Sequence, residues 1–223
     1  MPVPASSDAA PSPDAPSPDA APQTTVAPEF SADIVRRDAG GSATETAGRL
    51  YVAAGKVRIE SAEAPAGFFL VDSAGEAAWF VRVAQRVFTE AGRSTRLTQI
   101  FVPLDPKNPC TRWQQAAQLA GTLGPAAVDW HCQREHARAG AAATLTYRVA
   151  LSERASSERW IDPALGIAVK ERSQDGATIT LENIRIGPQA PSLFVLPPGY
   201  HRLDPQTLID RIRHSDVWAA PEH

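Results

Sequence analysis

The sequence predicts a domain of mainly antiparallel β-structure, all-β or α+β in class. Three observations carry this. Short apolar runs recur about every ten residues with turn residues between them, the pattern of a meandering sheet. The stretch Arg159–Tyr200 holds three extended runs joined by two tight turns. Within the third run the alternation slips by one residue near Asn183: Ile179 and Leu181 are followed by Ile184 and Ile186. A β-bulge explains such a slip, and bulges bend strands so that a sheet can curl.

The elements follow in order. Phe30, Ala32 and Ile34 alternate with polar residues, the period-2 signature of a half-buried strand. Thr46–Ala53 and Lys56–Glu60 are separated by Ala54-Gly55, a hairpin signal. Gly67–Asp72, then Trp79–Val81, then Val87–Glu90 continue the meander through turns at Ser73-Ala74-Gly75 and Ala84-Gln85. Phe68–Val71 and Trp79–Val81 are apolar on both faces, so both faces must be covered. Either a helix packs on one face and the core on the other, or one face lines a cavity. Leu97–Leu104 is apolar but irregular, and 105–109 is a loop. Thr111 offers an N-cap for a helix to about Leu119, stopped by Gly121 and Gly124, with Trp113, Ala116, Ala117 and Ala120 on one face. The strand Val128–Cys132 follows, and Leu145, Tyr147, Val149 and Leu151 then alternate strictly. Pro163–Gly166 and Ser173–Gly176 are the turns of the final meander. The segment Leu193–Tyr200 is too rich in proline for a central strand, and Phe194 and Tyr200 are expected to cap the open end of the core. Asp204 and Pro205 then begin a terminal helix with Leu208, Ile209 and Ile212 as its buried stripe.

Residues 1–29 differ from the rest. They are mostly Pro, Ala, Ser and Asp, with no Lys or Arg. A segment of this kind cannot bury enough apolar area to offset the entropy of ordering it. It reads as a disordered or polyproline-like tether ahead of a domain spanning 30–223. A remnant of processing and a proline-rich ligand for an aromatic groove are the alternatives.

The net charge is −3 and both signs are scattered. This argues against a nucleic-acid partner, which requires a basic stripe, and against an anionic membrane surface. No run approaches the length of a bilayer span. Met1 is followed by neither a basic nor an apolar signal region, so the chain is cytosolic or its export signal has been removed. Cys110 and Cys132 bear on that choice. A pair closing a loop of about 20 residues suits a disulfide in an exported protein, and two buried thiols or a redox pair are the alternatives. A C-x-x-C redox spacing is absent. His131, Cys132 and His136 could offer metal ligands, but no second ligand cluster accompanies them, so no metal or other cofactor is expected. No G-x-S-x-G, H-E-x-x-H or glycine-rich phosphate loop is present, and most carboxylates adjoin Pro or Gly, where turn roles explain them. An enzyme is not expected.

Taken together, Val57–Glu60, Trp160-Ile161-Asp162, Asp175-Gly176, Asn183-Ile184 with Gly187 and Gln189, and Leu193-Phe194 with Pro197, Gly199 and Tyr200 resemble the LolA/LolB-like superfamily of envelope proteins. The resemblance covers about residues 30–203, and its C-terminal third is the more specific part. It implies an α+β fold: a strongly curved sheet, an unclosed barrel, with helices on its concave face. It also implies a periplasmic or envelope location and a ligand held between sheet and helices. The family's functional arginine and its protruding apolar loop match no particular residue here.

Two functions follow as expectations. The first is a non-enzymatic protein binding a lipid, a lipoprotein acyl chain or another apolar ligand, with Phe68, Leu70, Trp79, Phe80, Tyr147 and Trp160 as candidate cavity lining. The second is an interaction or sensor module with a filled core, an exposed apolar patch or sheet edge, and an envelope protein as partner.

Overall fold

A computed structural model describes residues 27–203 apart from 42–43, 63, 73–76, 92–94, 106, 120–129, 136–143 and 153–154. Most of the tether, the Ser73–Gly75 turn, His136 and the terminal helix from Asp204 lie outside the described residues.

The first meander comprises β1 (Phe30–Arg37), β2 (Thr44–Ala53), β3 (Lys56–Ser61), β4 (Gly67–Asp72), β5 (Ala77–Arg82) and β6 (Val87–Glu90). Two helices follow, α1 (Arg96–Ile100) and α2 (Pro109–Leu119). The second meander comprises β7 (His131–Arg134), β8 (Leu145–Ser152), β9 (Ala155–Asp162), β10 (Ile167–Ser173) and β11 (Thr178–Ile186), and a short β12 (His201–Arg202) ends the described chain. All join one sheet in the order β12-β6-β5-β4-β3-β2-β1-β11-β10-β9-β8-β7. The two meanders are stitched by the antiparallel β1–β11 pair, and β12 lies parallel to β6. The sheet is strongly curved and does not close, with the helices on its concave face.

Local chemistry sets the turns and the curl. In the β2–β3 hairpin Ala54 and Gly55 both take positive φ, 46° and 75°, as a two-residue turn matching strand twist requires. Asn183 takes φ 51° where the β1–β11 register shifts, so the slip in the sequence is a bulge. Because of it, Ile184 and Ile186 stay on the face of Ile179 and Leu181, and Ile186 pairs with the buried Phe30.

The concave wall is made by Phe30, Ile34, Leu50, Ile59, Phe69, Val71, Tyr147, Val149, Ile161 and Ile167, and the helical layer meets it with Leu97, Ile100, Phe101 and Trp113. The stretch expected to be irregular, Leu97–Leu104, contains α1, whose Thr95 cap and Thr98 side chain satisfy each other's backbone N–H groups in a capping box. The Leu104 N–H donates to the Gly166 carbonyl, anchoring this stretch to the turn before β10. Helix α2 starts two residues before Thr111, at Pro109, where proline's fixed φ suits a first turn.

One sequence expectation changes place. Phe194 and Tyr200 do not cap an open end of the core. Pro191–Tyr200 forms a strap across the convex face, starting with a 3-10 turn at Pro191–Phe194. Leu196 and Tyr200 pack there on Phe68, Leu70 and Val81. The doubly apolar strands β4 and β5 therefore have the core on one face and this strap on the other.

Candidate functional site

Register divides the six predicted lining residues between two faces. Phe68, Leu70 and Trp79 point to the convex face, in a small cluster with Val81 and Phe88 beneath the strap. Phe80 points to the concave side and stacks on Phe69 at 4.8 Å between ring centroids. Tyr147 is also concave and meets Trp113 of α2 edge-to-face at 5.9 Å. Trp160 is convex, with Lys170 Nζ 4.9 Å from its ring centroid and the Arg172 guanidinium at 5.9 Å. The structure thus joins Phe80 and Tyr147 to one wall and sets the other four on the opposite surface. Alternation alone shows that neighbouring residues point apart, but not which face the helices will choose.

Under the helical layer lies a group that the sequence reading did not single out. Tyr147, Arg159 and Glu171 sit side by side across β8, β9 and β10. Glu171 is 2 % exposed. Arg159 donates from Nε to Glu171 Oε2 at 2.8 Å, and Arg96 of α1 donates from Nε to Oε1 at 2.7 Å. One buried carboxylate therefore binds a sheet arginine and a helix arginine together. The Arg159 guanidinium also lies 4.8 Å from the Trp113 ring centroid, a cation–π contact. Burial pulls the Arg159 pKa below its usual value; Glu171 opposes this by charge and hydrogen bond, while Arg96 adds to it. An arginine stays protonated even so. The inward row of β9 reads Ser157, Arg159 and Ile161, so alternation did not mark Arg159, and only the β9–β10 register sets it against Glu171.

Cys110 at the start of α2 is bonded to Cys132 in β7, with Cα atoms 5.7 Å apart. The helical layer is therefore fastened twice, covalently to β7 and ionically to β10.

The convex face carries its own charged row. Asn183 donates to Asp33 Oδ2 at 2.9 Å. Asp33 faces Arg49 across the β1–β2 pair, and Arg49 faces Glu60 across β2–β3. Arg58 donates to Glu60 Oε1 from both Nε and Nη2, at 2.9 and 2.8 Å. Its guanidinium stacks 3.5 Å from the Phe68 ring centroid, and Nη1 reaches the strap at the Leu193 carbonyl. Arg49 Nε is buried without a hydrogen-bond partner among the described residues. A groove of about 570 Å³ runs from Asp33 and Arg49 past Arg58 and Glu60 to Phe68 and Val83.

Among the described residues no three His, Cys, Asp or Glu side chains are grouped to hold a metal ion. No described helix is long and apolar enough to cross a membrane.

No protein-family model and no curated protein matches the chain. Several solved structures share its course. An uncharacterized conserved protein from Thermus thermophilus aligns over 81 % of this chain and 93 % of its own, at 10 % identity and TM-score 0.45. MucB aligns over 77 % of this chain and 58 % of its own, at 12 % identity and TM-score 0.40. A LolA superfamily protein from Nitrosomonas europaea aligns over 76 % and 90 %, at 10 % identity and TM-score 0.35. The chain also spans about a third of PNGF-II, 33 % of that protein's length, at TM-score 0.46. At 10–12 % identity, the likeness to MucB and to the LolA superfamily protein lies in the course of the chain alone.

Proposed function

We propose that this domain is a non-enzymatic binding module of the cell envelope, taking an apolar ligand, a lipid or a lipoprotein acyl chain, between the concave wall and its helical roof. The observation that carries the reading is the disproportion between wall and roof. Buried apolar side chains line the concave wall on both sides of the β1–β11 seam, whereas among the described residues the roof contributes two helices of 5 and 11 residues. The disulfide fixes one side of that roof, and the half-exposed Arg96 fastens the other. An apolar guest exchanges one set of apolar contacts for another, so its entry costs little beyond moving the roof. Phe80 and Tyr147 keep their role as lining in this reading; Phe68, Leu70, Trp79 and Trp160 belong to the convex surface. The disulfide supports an oxidising compartment.

Native mass spectrometry of gently purified protein tests the proposal. An acyl-chain-sized mass increment that disappears on lipid extraction is the expected result. A clean apo mass, with no uptake of fluorescent fatty acids, overturns it.

A second reading, an interaction module with a filled core, has its own observation. β10 pairs with β11 through Thr178–Thr180, whereas Ile184 and Ile186 farther along are 37 % and 70 % exposed. Exposed apolar residues on a strand end invite a partner strand. This reading predicts that Ile186→Asp abolishes binding of an envelope protein partner without altering fatty-acid uptake.

A further inference from the structure

The buried polar atoms beneath the roof select among the acyl ligands that the concave site would take, and this selection rests on the binding function proposed above. Trp113 of α2 is 1 % exposed, yet its indole Nε1–H has no acceptor among the described residues. A buried tryptophan N–H ordinarily has a partner, and without one it forfeits the hydrogen bond that water supplied in the unfolded chain. The charged groups around it do not serve. The Arg159 guanidinium, 4.8 Å from the ring centroid, is a donor only. Both oxygens of Glu171 are engaged, Oε1 by Arg96 and Oε2 by Arg159.

The charge balance points the same way. Arg96 and Arg159 place two positive charges on the single carboxylate of Glu171, which leaves the cluster with one positive charge in excess. The other carboxylate that Arg96 influences, Asp175, is exposed and already bound by Ser173 and Ala177. Arg159 itself is 7 % exposed, so water does little for its charge. It spends Nε on Glu171, and no hydrogen bond among the described residues occupies its Nη groups. An orphan donor on the roof and a cation with donors to spare on the wall thus share one buried contact. An ionised acid answers both. Its oxygens only accept, and charge-assisted hydrogen bonds offset the cost of burying it. An ester or amide carbonyl also accepts, but it brings no charge.

We propose that the concave site takes an acyl chain carrying its own ionised acid, a long-chain free carboxylate whose oxygens accept from Trp113 Nε1 and Arg159 Nη between roof and wall. The tail then lies towards the β1–β11 seam, where the wall offers Ile161, Ile167, Leu181, Ile34 and Leu50. Acyl chains joined to a larger molecule through an ester or amide lack the charge and are the poorer ligands.

The test compares palmitate with hexadecanol, a chain of the same length without the charge, each displacing an apolar fluorescent probe from the full chain. Palmitate should bind about tenfold more tightly or better. Trp113→Phe keeps an aromatic ring and removes the N–H, and that preference should shrink several-fold. A second readout needs no altered protein to bind. In the nitrogen-15-labelled parent, the indole N–H signal that Trp113→Phe lacks should move downfield on addition of palmitate, as a new hydrogen bond requires. Equal affinity for the two probes overturns the acid-head site while the apolar site stands. So does a preference that Trp113→Phe leaves intact, or an indole signal that palmitate does not move. Uptake of neither probe by the folded parent overturns the apolar site itself, and the acid-head site with it.

Discussion

Replacing Glu171 by Gln removes the charge that two arginines share while keeping the shape. The consequences differ for the two partners. Arg96 is 49 % exposed in its side chain, so it turns to water, and its loss is worth at most about 1 kcal/mol. Arg159 is 8 % exposed and remains trapped beneath Trp113, a buried charge without its counter-ion. Breaking a buried pair in this way costs about 3–5 kcal/mol. With a urea slope of about 2 kcal/mol per molar, the unfolding midpoint falls by about 1.5–2.5 M. Removing both charges with Arg159→Met and Glu171→Leu leaves no orphan, so the double variant should come within about 1 kcal/mol of the parent or exceed it. A midpoint change below about 0.5 M for Glu171→Gln refutes the reasoning. So does a double variant as unstable as the single one, because the cost would then come from packing rather than from an unpaired charge.

Reduction of Cys110–Cys132, or its replacement by two serines, frees a loop of sequence separation 22. The chain-entropy model gives a loss of about 3.4 kcal/mol, a fall in Tm of about 7–14 °C for a domain of this size, measured by calorimetry with and without reductant. At Gly48 a Cβ would lie 2.1 Å from the Glu60 carbonyl oxygen. Gly48→Ala should therefore force β2 from β3 and reduce soluble yield and melting temperature far more than a surface alanine substitution does. Asp175 is held below the usual carboxylate range, first by the Ser173 hydroxyl and then by the Ala177 N–H. Its contribution is present above the unfolded value near 3.9 and is lost as pH falls through the folded one. Asp175→Asn should accordingly narrow the stability gap to the parent below about pH 4, read by chemical denaturation at several pH values.

Period-2 alternation revealed the strands because one buried face imposes it directly on the residue order. The bulge was legible too: the phase slip after Leu181 could be absorbed only by an extra residue, and Asn183 tolerates positive φ. The cover of β4 and β5 was not legible. Phe68, Leu70 and Trp79 announce that something apolar lies above them, but a proline-rich strap, a helix wall and a ligand leave the same trace in those residues. Arg159 and Glu171 show the complementary failure. Each looks like a solvated position in its own strand, and only the pairing of β9 with β10 places them side by side. Trp160, a candidate lining residue, lies on the convex face, where Lys170 and Arg172 stack on its ring.

The Glu171 substitution also separates the two functional readings, because they assign different work to the same bolt. If a ligand enters between wall and roof, the free energy of opening includes breaking the Arg96–Glu171 contact, and the roof swings about the disulfide on its far side. Glu171→Gln then lowers the cost of opening and should speed fatty-acid uptake, even as global stability falls. Arg96→Ala should speed it as well with little loss of stability, since Arg159 keeps its partner. In a filled interaction module neither variant alters uptake, because there is no space to reach, and only the unfolding midpoint moves. Faster stopped-flow uptake by Arg96→Ala at unchanged melting temperature is therefore the outcome that a purely structural bolt cannot produce.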